Sequence, residues 1–331
     1  MLGYRFATRI NSFASGAAGY WPDLTGKPTL VQMVRRAASV DGLTELDLNY
    51  PDHIDADPVQ ISRMVGDCGL AISGLAMRYY SNPGFKRGAF TNPDRAIRRA
   101  AIDLTKRGID AARSMGAPMI TLWLGQDGYD YAFQCDYNSL WSDEIAAIAE
   151  VAEHDPDCLI SIEYKPNEPR SYAVLPDAAT TVLAIRQIGA ANLGVTLDFA
   201  HALYADEQPA FAAALILRHS RLLGLHLNDG YAKRDDGLMV GAVHEQATLE
   251  LLREVHRGGY DGAIYFDTFP DASGLDPVEE CSANIRTVRR MLAAVVRLDG
   301  DNQLAAAQAA QNPVAAQEVA RLALAGTTLT L

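Results

Sequence analysis

Three carboxylates and one imidazole interrupt four successive apolar runs of the chain. Glu163 lies in ISIEYKP, Asp198 in VTLDFAH, His226 in LGLHLND and Asp267 in IYFDTFP. A charged group in such a run is costly unless a positive partner compensates it. A single acid of this kind is typical of an ion-paired structural residue. Four polar residues, each near the end of its apolar run, favour a ligand that all four bind. Oxygen and imidazole donors suit a divalent ion such as Mg²⁺ or Mn²⁺, and the lack of cysteine makes structural zinc a poorer match.

A second group of polar residues lies close to Asp198 or in the loop after the third run. His201 follows Asp198 by three residues, and the loop YAKRDDGLMVG supplies Asp235 and Asp236. Together with His201, a loop acid has the chemistry to hold a second cation. On their own, charged loop residues are usually only solvated.

Candidate substrate contacts surround these ligands. Lys165 comes two residues after Glu163, so both project from the same face of an extended strand. Its ammonium group suits developing negative charge on a substrate oxygen, and a salt bridge to one of the acids is the alternative. Trp123 and Phe90 are aromatic candidates for excluding water and stacking on a sugar, with core packing as the alternative. Weaker polar candidates are His53, Asn49 and Arg78.

The elements that position these residues alternate regularly. Strand-like runs rich in β-branched and aromatic residues alternate with longer amphipathic segments. The clearest helix begins near Asp94 and ends at Gly116. Alternation implies parallel strands joined by crossover helices. The eight predicted strands are 5–13, 45–51, 71–79, 119–125, 159–166, 193–201, 222–229 and 262–270.

Eight strands favour a closed (β/α)8 barrel, of the α/β class, over an open doubly wound sheet. Neither GxGxxG nor GxxxxGK[ST] occurs, which further disfavours a nucleotide-binding sheet. The strand ends of such a barrel meet at one mouth, where active sites lie. We therefore predict that residues 1–300 form a catalytic barrel. Residues 301–331, rich in Ala and Gln, form a C-terminal helical extension that either contacts another subunit or frays.

Composition restricts the class of protein. The chain has 331 residues, and 29 Lys and Arg against 41 Asp and Glu give a net charge of −12, which disfavours nucleic acid as a partner. No window approaches the roughly 18 consecutive apolar residues of a membrane span. The four cysteines have no CxxC spacing and are typical of reduced thiols in a cytoplasmic protein.

Several segments resemble the xylose isomerases. These are NPGFKRGAFTNPDRAIRRAA, LWLGQDGYDYAF, IEYKPNEPR, LDFAH, LHLND, DDGLMVG and YFDTFP, which together span roughly residues 75–270. The ligand types Glu, Asp, His and Asp are closer to the related rhamnose isomerases. The resemblance implies a catalytic metal on Asp198, His201 and Asp235. It also implies a structural metal, whose ligands are Glu163, Asp198, His226 and Asp267. It also implies that Lys165 contacts the substrate's O1, and that Trp123 and Phe90 shield the reacting carbons.

The sequence departs from that family at two positions. The second acid of the metal-binding loop falls on Gly237, with Asp236 as a neighbouring substitute, and the ring-opening histidine aligns with Asn49, with His53 nearby. The identity of the sugar therefore stays open.

We expect a divalent-metal-dependent aldose–ketose isomerase that transfers a hydride between C1 and C2 of a monosaccharide. It would use Mn²⁺, Mg²⁺ or Co²⁺, with two ions per chain, in a cytoplasmic homodimer or homotetramer. The alternatives are a ketose 3-epimerase of the same superfamily, a metal-dependent endonuclease on the same barrel, which the acidic charge disfavours, and a non-catalytic sugar-binding barrel.

Overall fold

A closed barrel of eight parallel strands forms the centre of the protein. The computed structural model describes residues 2–54 and 56–326. Each barrel strand pairs with the next one along the chain, and the eighth pairs with the first. The predicted (β/α)8 barrel is therefore confirmed. The barrel strands are β1 (Phe6–Arg9), β2 (Glu45–Tyr50), β3 (Ala71–Met77), β4 (Met119–Trp123), β5 (Leu159–Glu163), β6 (Leu193–Asp198), β7 (Leu222–Leu227) and β8 (Ile264–Phe266).

One crossover helix follows each strand and packs outside the barrel. The helix predicted between Asp94 and Gly116 has the expected ends: the Asp94 side chain accepts from the Ala96 amide, and Gly116 adopts a left-handed φ of 71°. The crossover helices are α1 (Leu30–Ala37), α2 (Pro58–Asp67), α3 (Arg95–Met115), α4 (Tyr137–His154), α5 (Ala178–Ile188), α6 (Pro209–His219), α7 (Glu245–Arg257) and α8 (Pro277–Asp299).

The strands end earlier than the apolar runs predict. The run 5–13 is extended only to Arg9, because Ile10–Ala14 form a 3-10 helix. The run 193–201 ends at Asp198, whose side chain caps the short helix Phe199–Tyr204. Continuous apolar character persists past a strand end because the connecting turns are also buried, so hydrophobicity alone does not locate the end.

Short elements decorate the carboxyl end of the barrel. Gly128–Tyr129 and Tyr172–Ala173 form a two-stranded antiparallel sheet that joins the loops after β4 and β5. The remaining short helices are Ala17–Tyr20, Pro83–Phe85 and Pro270–Ser273.

The C-terminal extension is helical over α9 (Asn302–Ala309) and α10 (Pro313–Ala325). Leu304 and Val319 are buried, and Arg297 of α8 donates from Nε to the Ala323 carbonyl at 3.0 Å. The apolar side of the extension therefore packs against its own barrel. The last five residues of the predicted 301–331 segment lie outside the described residues.

The four cysteines are free thiols. No helix within residues 2–54 and 56–326 has the length and apolar character of a membrane span. At the amino end of the barrel lies a cavity of about 510 Å³.

Candidate active site

The four residues predicted as metal ligands meet at the carboxyl mouth of the barrel. Glu163 ends β5, Asp198 ends β6, His226 lies in β7, and Asp267 directly follows β8. One potential ligand atom from each lies within 4.8 Å of those from the other three. Parallel strands converge at this mouth, so residues far apart in the sequence become neighbours.

Mutual repulsion and burial shape the electrostatics of this cluster. Burial raises the pKa of Asp198, and the carboxylates of Asp235, Asp267 and Glu163 raise it further. Burial lowers the pKa of His226, but nearby acids of the cluster outweigh burial and raise it to about 9. The cluster therefore favours positive charge at its centre.

The four residues fit a divalent cation. Typical metal–oxygen distances of about 2.0–2.6 Å allow donors on one ion to be roughly 3–5 Å apart, which agrees with the 4.8 Å limit of the cluster. Nδ1 of His226 is buried without a hydrogen bond, 3.4 Å from Oε1 of Glu163. An unpartnered imidazole nitrogen facing a carboxylate is the arrangement expected when an ion completes the site.

Asn228 orients the cluster, and the sequence analysis did not single it out. Its amide Nδ2 lies 3.2 and 3.1 Å from the two carboxylate oxygens of Asp198 and donates to the Asp267 carbonyl at 3.2 Å. Its Oδ1 accepts from the Ala200 amide at 2.9 Å. Asn228 follows His226 by two residues, so both side chains lie on the same face of the extended chain. This spacing was the signal in the sequence that could have identified Asn228.

Lys165, His201 and Asp235 form a second group beside the cluster. Nζ of Lys165 lies 3.1 Å from Oδ2 of Asp235, and Nε2 of His201 lies 3.2 Å from the same oxygen. Nδ1 of His201 contacts the Tyr164 carbonyl at 3.0 Å, which fixes the ring orientation. Burial raises the pKa of Asp235, but the contacts with His201 and Lys165 outweigh it and hold the pKa well below its usual range.

The position of the missing second acid cannot hold a side chain without rearrangement. Gly237 has φ +58°, and a Cβ there would lie 2.2 Å from the ring of Phe269. The predicted substitute, Asp236, is engaged in its own loop: it accepts from the Tyr231 amide at 2.9 Å and from Arg234 Nε at 2.8 Å. Asp236 also does not line the site cavity, so it does not supply the missing ligand.

A cavity of about 190 Å³ opens beside the cluster. Of the predicted substrate contacts, Trp123, Lys165 and Arg78 line it. Phe90 is fully buried in the hydrophobic core, with its ring 5.6 Å from that of Tyr79. The structure therefore places Phe90 in the core and not among the residues that line the cavity.

Two further predicted contacts also lie behind the lining. Asn49 is 4% exposed, accepts from Arg78 Nε at 2.7 Å and donates to Asn11. His53 Nδ1 accepts from the Asn49 amide at 3.0 Å. Asn49 therefore supports Arg78, and His53 in turn contacts Asn49.

Seven cavity residues were absent from the predicted set: Arg9, Asp47, Ala76, Tyr80, Thr121, Tyr265 and Phe269. Burial raises the pKa of Asp47 to about 7. Asp47, His226 and Tyr265 also line the cavity at the amino end, so they form a floor common to both cavities. The alternation Glu45, Asp47, Asn49 along buried β2 was the signal for an inward-facing polar row.

A family comparison decides the relationship of this barrel to known proteins. The model of the family described as "Xylose isomerase-like TIM barrel" matches residues 36–291. The chain belongs to this family. The resemblance recognised in the sequence is thereby confirmed at the level of the family.

Individual members of the xylose isomerase-like family are more distant. The chain is 26% identical over 223 residues to a xylose isomerase of Thermus thermophilus, covering 66% of this chain and 58% of that relative. It therefore spans less than two thirds of that relative's length.

Solved structures of the family share the fold. A structure of L-ribulose 3-epimerase has a TM-score of 0.69 at 15% identity, covering 90% of this chain and 99% of that one. A D-psicose 3-epimerase from Clostridium cellulolyticum H10 has a TM-score of 0.63 at 15% identity, covering 87% of this chain and 99% of that one. At this level of identity the likeness to these structures shows a shared fold.

Proposed function

We propose that this protein is a divalent-metal-dependent aldose–ketose isomerase acting on an open-chain monosaccharide. The observation that carries the proposal is the Lys165 ammonium, 3.1 Å from Asp235 Oδ2, in the same cavity as the four-residue cluster. A cluster suited to a metal and a buried ammonium can hold the two oxygens of a C1–C2 unit from different sides.

Glu163, Asp198, His226 and Asp267 would hold the ion in this proposal. When bound, a divalent ion supplies Lewis-acid polarisation of adjacent substrate oxygens. The chain contributes Asn228, whose amide fixes the Asp198 carboxylate through contacts at 3.2 and 3.1 Å. This contact maintains the donor geometry before the substrate arrives.

Lys165 is the proposed partner of the substrate's O1. Burial lowers its pKa, but Asp235 and Glu168 outweigh burial and raise the pKa above its ordinary value. The side chain therefore stays charged and donates to O1, which stabilises negative charge there as the carbonyl shifts. Glu168 and Asp235, each with a carboxylate oxygen 3.1 Å from Nζ, keep the ammonium in place.

The reaction needs no external reductant. A hydride moves between C1 and C2 while a proton moves between O1 and O2, so bonds and charges balance within the substrate. Trp123 lines the cavity, and Lys165 Nζ lies 5.5 Å from the centre of its ring. The indole positions the ammonium and excludes water from the reacting carbons.

A ketose 3-epimerase is the second candidate, and one observation favours it. Within the described part of the chain, the cluster is the single group of three or more His, Cys, Asp or Glu residues with donors close enough to hold an ion. One metal with two flanking acids would suit proton transfer at C3. Against this, β8 supplies Asp267, which is one methylene shorter than the glutamate that this chemistry needs, by about 1–1.5 Å of reach.

Solvent isotope exchange separates the two reactions. The Mn²⁺-loaded protein is incubated in D₂O with a panel of aldoses and ketoses, and products are followed by NMR. A 1,2-hydride shift leaves the carbon-bound hydrogen largely unexchanged. Stoichiometric deuterium at C3, with no aldose formed from any ketose, would establish the epimerase instead. Lys165→Met should lower kcat by about 10²–10³-fold, with Asp236→Asn as the matched control outside the cavity.

The proposal includes Mn²⁺, Mg²⁺ or Co²⁺ as the native ion, a cytoplasmic location and assembly as a homodimer or homotetramer. Packing of the C-terminal extension against its own barrel limits its contribution to assembly to the outer face, where Val314 is 80% exposed.

A further inference from the structure

Two arginines line the cavity together with the metal-ligand candidates. Arg9 ends β1, and Arg78 directly follows β3. Nε of Arg9 lies 3.9 Å from Oδ1 of Asp267, which is an ion pair beyond hydrogen-bond distance. Arg9 therefore lies beside Asp267, whereas Lys165 contacts Asp235.

Each guanidinium group is stacked on an aromatic ring. Cζ of Arg9 lies 4.7 Å from the ring centre of Phe269, and Cζ of Arg78 lies 5.5 Å from that of Tyr80. Stacking uses the face of the planar group and leaves its N–H edge for acceptors in the plane. Each guanidinium group therefore has an aromatic contact that does not use its N–H donors.

Most donors of these two arginines have no partner in the protein. Among the described residues, the Arg9 side chain makes no hydrogen bond, and its buried Nε is unsatisfied. Arg78 makes one, from Nε to Asn49 Oδ1 at 2.7 Å. An unpaired buried donor such as Nε of Arg9 is costly, and the terminal nitrogens of both side chains are free of hydrogen bonds to the described residues, so they are available for a ligand in the cavity.

The absence of a side chain at Gly237 leaves room for the Phe269 ring, which lies against the Arg9 guanidinium group. A Cβ at this position would lie 2.2 Å from the Phe269 ring, so the ring that supports Arg9 fills the space of a missing side chain. The family resemblance placed an acid at 237. Compared with the family, this site therefore lacks one carboxylate at position 237. The Phe269 ring occupies that space and contacts the positively charged Arg9.

We propose that Arg9 and Arg78 bind an anionic group of the substrate, a carboxylate or a phosphate, at the end remote from the reacting carbons. Planar guanidinium forks match both groups bidentately. The cavity of about 190 Å³ is below the roughly 300–1,000 Å³ of sites for drug-sized ligands, so the ligand is a single sugar acid or sugar phosphate. This inference rests on the proposed function for the sugar part of the ligand.

Paired probes test the charge preference by calorimetry on the Mn²⁺-loaded protein. D-glucuronate is compared with D-glucose, and D-ribose 5-phosphate with D-ribose. At least one anionic member should bind tenfold or more tightly than its neutral partner, and the pair that shows this identifies a carboxylate or a phosphate. Equal or tighter binding of both neutral sugars would overturn the inference.

Arginine variants show whether the preference comes from these residues. Arg9→Gln and Arg78→Gln should each reduce the anionic-to-neutral affinity ratio tenfold or more, while Mn²⁺ still binds at the four-residue cluster. Arg113→Gln, in an exposed ion pair with Asp155, is the matched control. An unchanged ratio in both cavity variants would refute the inference, because it would assign the anion to the metal itself. If either glutamine variant fails to fold, the lysine variant, which retains the charge without the fork, should still lower the ratio at least threefold.

A measurement of aldose–ketose turnover tests the proposed function separately from the anion site. An arginine-dependent preference without aldose–ketose interconversion would remove the isomerase and keep the anion site. Interconversion of sugars with an anionic-to-neutral affinity ratio that neither arginine variant changes would keep the isomerase and remove the anion site.

Discussion

The ammonium nitrogen of Lys165 lies 3.1 Å from Oδ2 of Asp235. The same oxygen lies 3.2 Å from Nε2 of His201, so a cation at this place would compete with Lys165 for Asp235. Gly237 contributes no further ligand. Any second ion should therefore bind more weakly than the ion at the four-residue cluster.

We predict two metal sites of unequal affinity. His201→Ala should remove the weaker site and lower turnover by at least about 100-fold, while tight binding at the cluster persists. Isothermal titration with Mn²⁺ and steady-state kinetics measure the two effects. A single site in the unmutated, fully active protein would contradict this expectation.

The cluster itself should be essential for tight metal binding. Glu163→Gln or Asp198→Asn removes an anionic donor, so Mn²⁺ affinity should fall by about 100-fold or more. EDTA should abolish turnover, and added Mn²⁺, Co²⁺ or Mg²⁺ should restore it. Asp236→Asn, outside the cavity, should retain wild-type affinity. Full turnover after exhaustive chelation would refute metal dependence.

Glu144 should make the stability of the protein depend on pH. It is fully buried in α4, and neither carboxylate oxygen has a hydrogen bond among the described residues. Burial raises its pKa well above 4.5, and Asp127 raises it further. Because the folded-state pKa exceeds the unfolded value, this contribution is fully present below about pH 4.5 and is lost as pH rises toward the folded pKa.

Glu144→Gln should therefore stabilise the protein at pH 7 by about 1–3 kcal/mol, with an advantage that vanishes near pH 4.5. Denaturant unfolding from pH 4.5 to 8 measures the difference. Glu153→Gln, on the exposed side of the same helix, should show no comparable pH-dependent gain. An advantage of Glu144→Gln that is independent of pH would show that Glu144 is not the titrating group.

Truncation after Gly300 should have two separable effects. It removes Leu304 and Val319, which are buried in the hydrophobic core cluster, and this loss should lower the free energy of unfolding by about 3 kcal/mol. If the extension also contacts another subunit, sedimentation should show looser assembly. Val314→Ser changes only its outer face and should weaken assembly without lowering Tm. An unchanged sedimentation profile for both variants would exclude the extension as a subunit contact.

The positions of the strands could be read from the sequence, but their ends could not. Each of the eight apolar runs contains a barrel strand, because buried parallel strands require continuous hydrophobic residues. The predicted first strand continued to residue 13, whereas β1 ends at Arg9. The buried turn Ile10–Ala14 has the same apolar character as the strand, so the pattern did not distinguish them.

The candidate site was predictable where several residue types coincide at strand ends. Glu163, Asp198, His226 and Asp267 stood out because each charge interrupts an apolar run. Arg9 did not, because its role depends on Phe269, which is brought beside it only by barrel closure. The family resemblance implied that Phe90 shields the reacting carbons, yet tertiary packing directs it into the core, the alternative that the residue type alone left open.

The floor shared by the two cavities limits how this barrel can diversify. In many barrels the lower layer provides stability and the upper mouth provides activity, so selection can alter one without the other. Here Asp47, His226 and Tyr265 belong to both. A substitution that reshapes the substrate mouth at these positions also repacks the base of the barrel. Evolution toward a new sugar is therefore expected to proceed through Arg9, Arg78 and Trp123, which line the carboxyl-end cavity and not the one at the amino end.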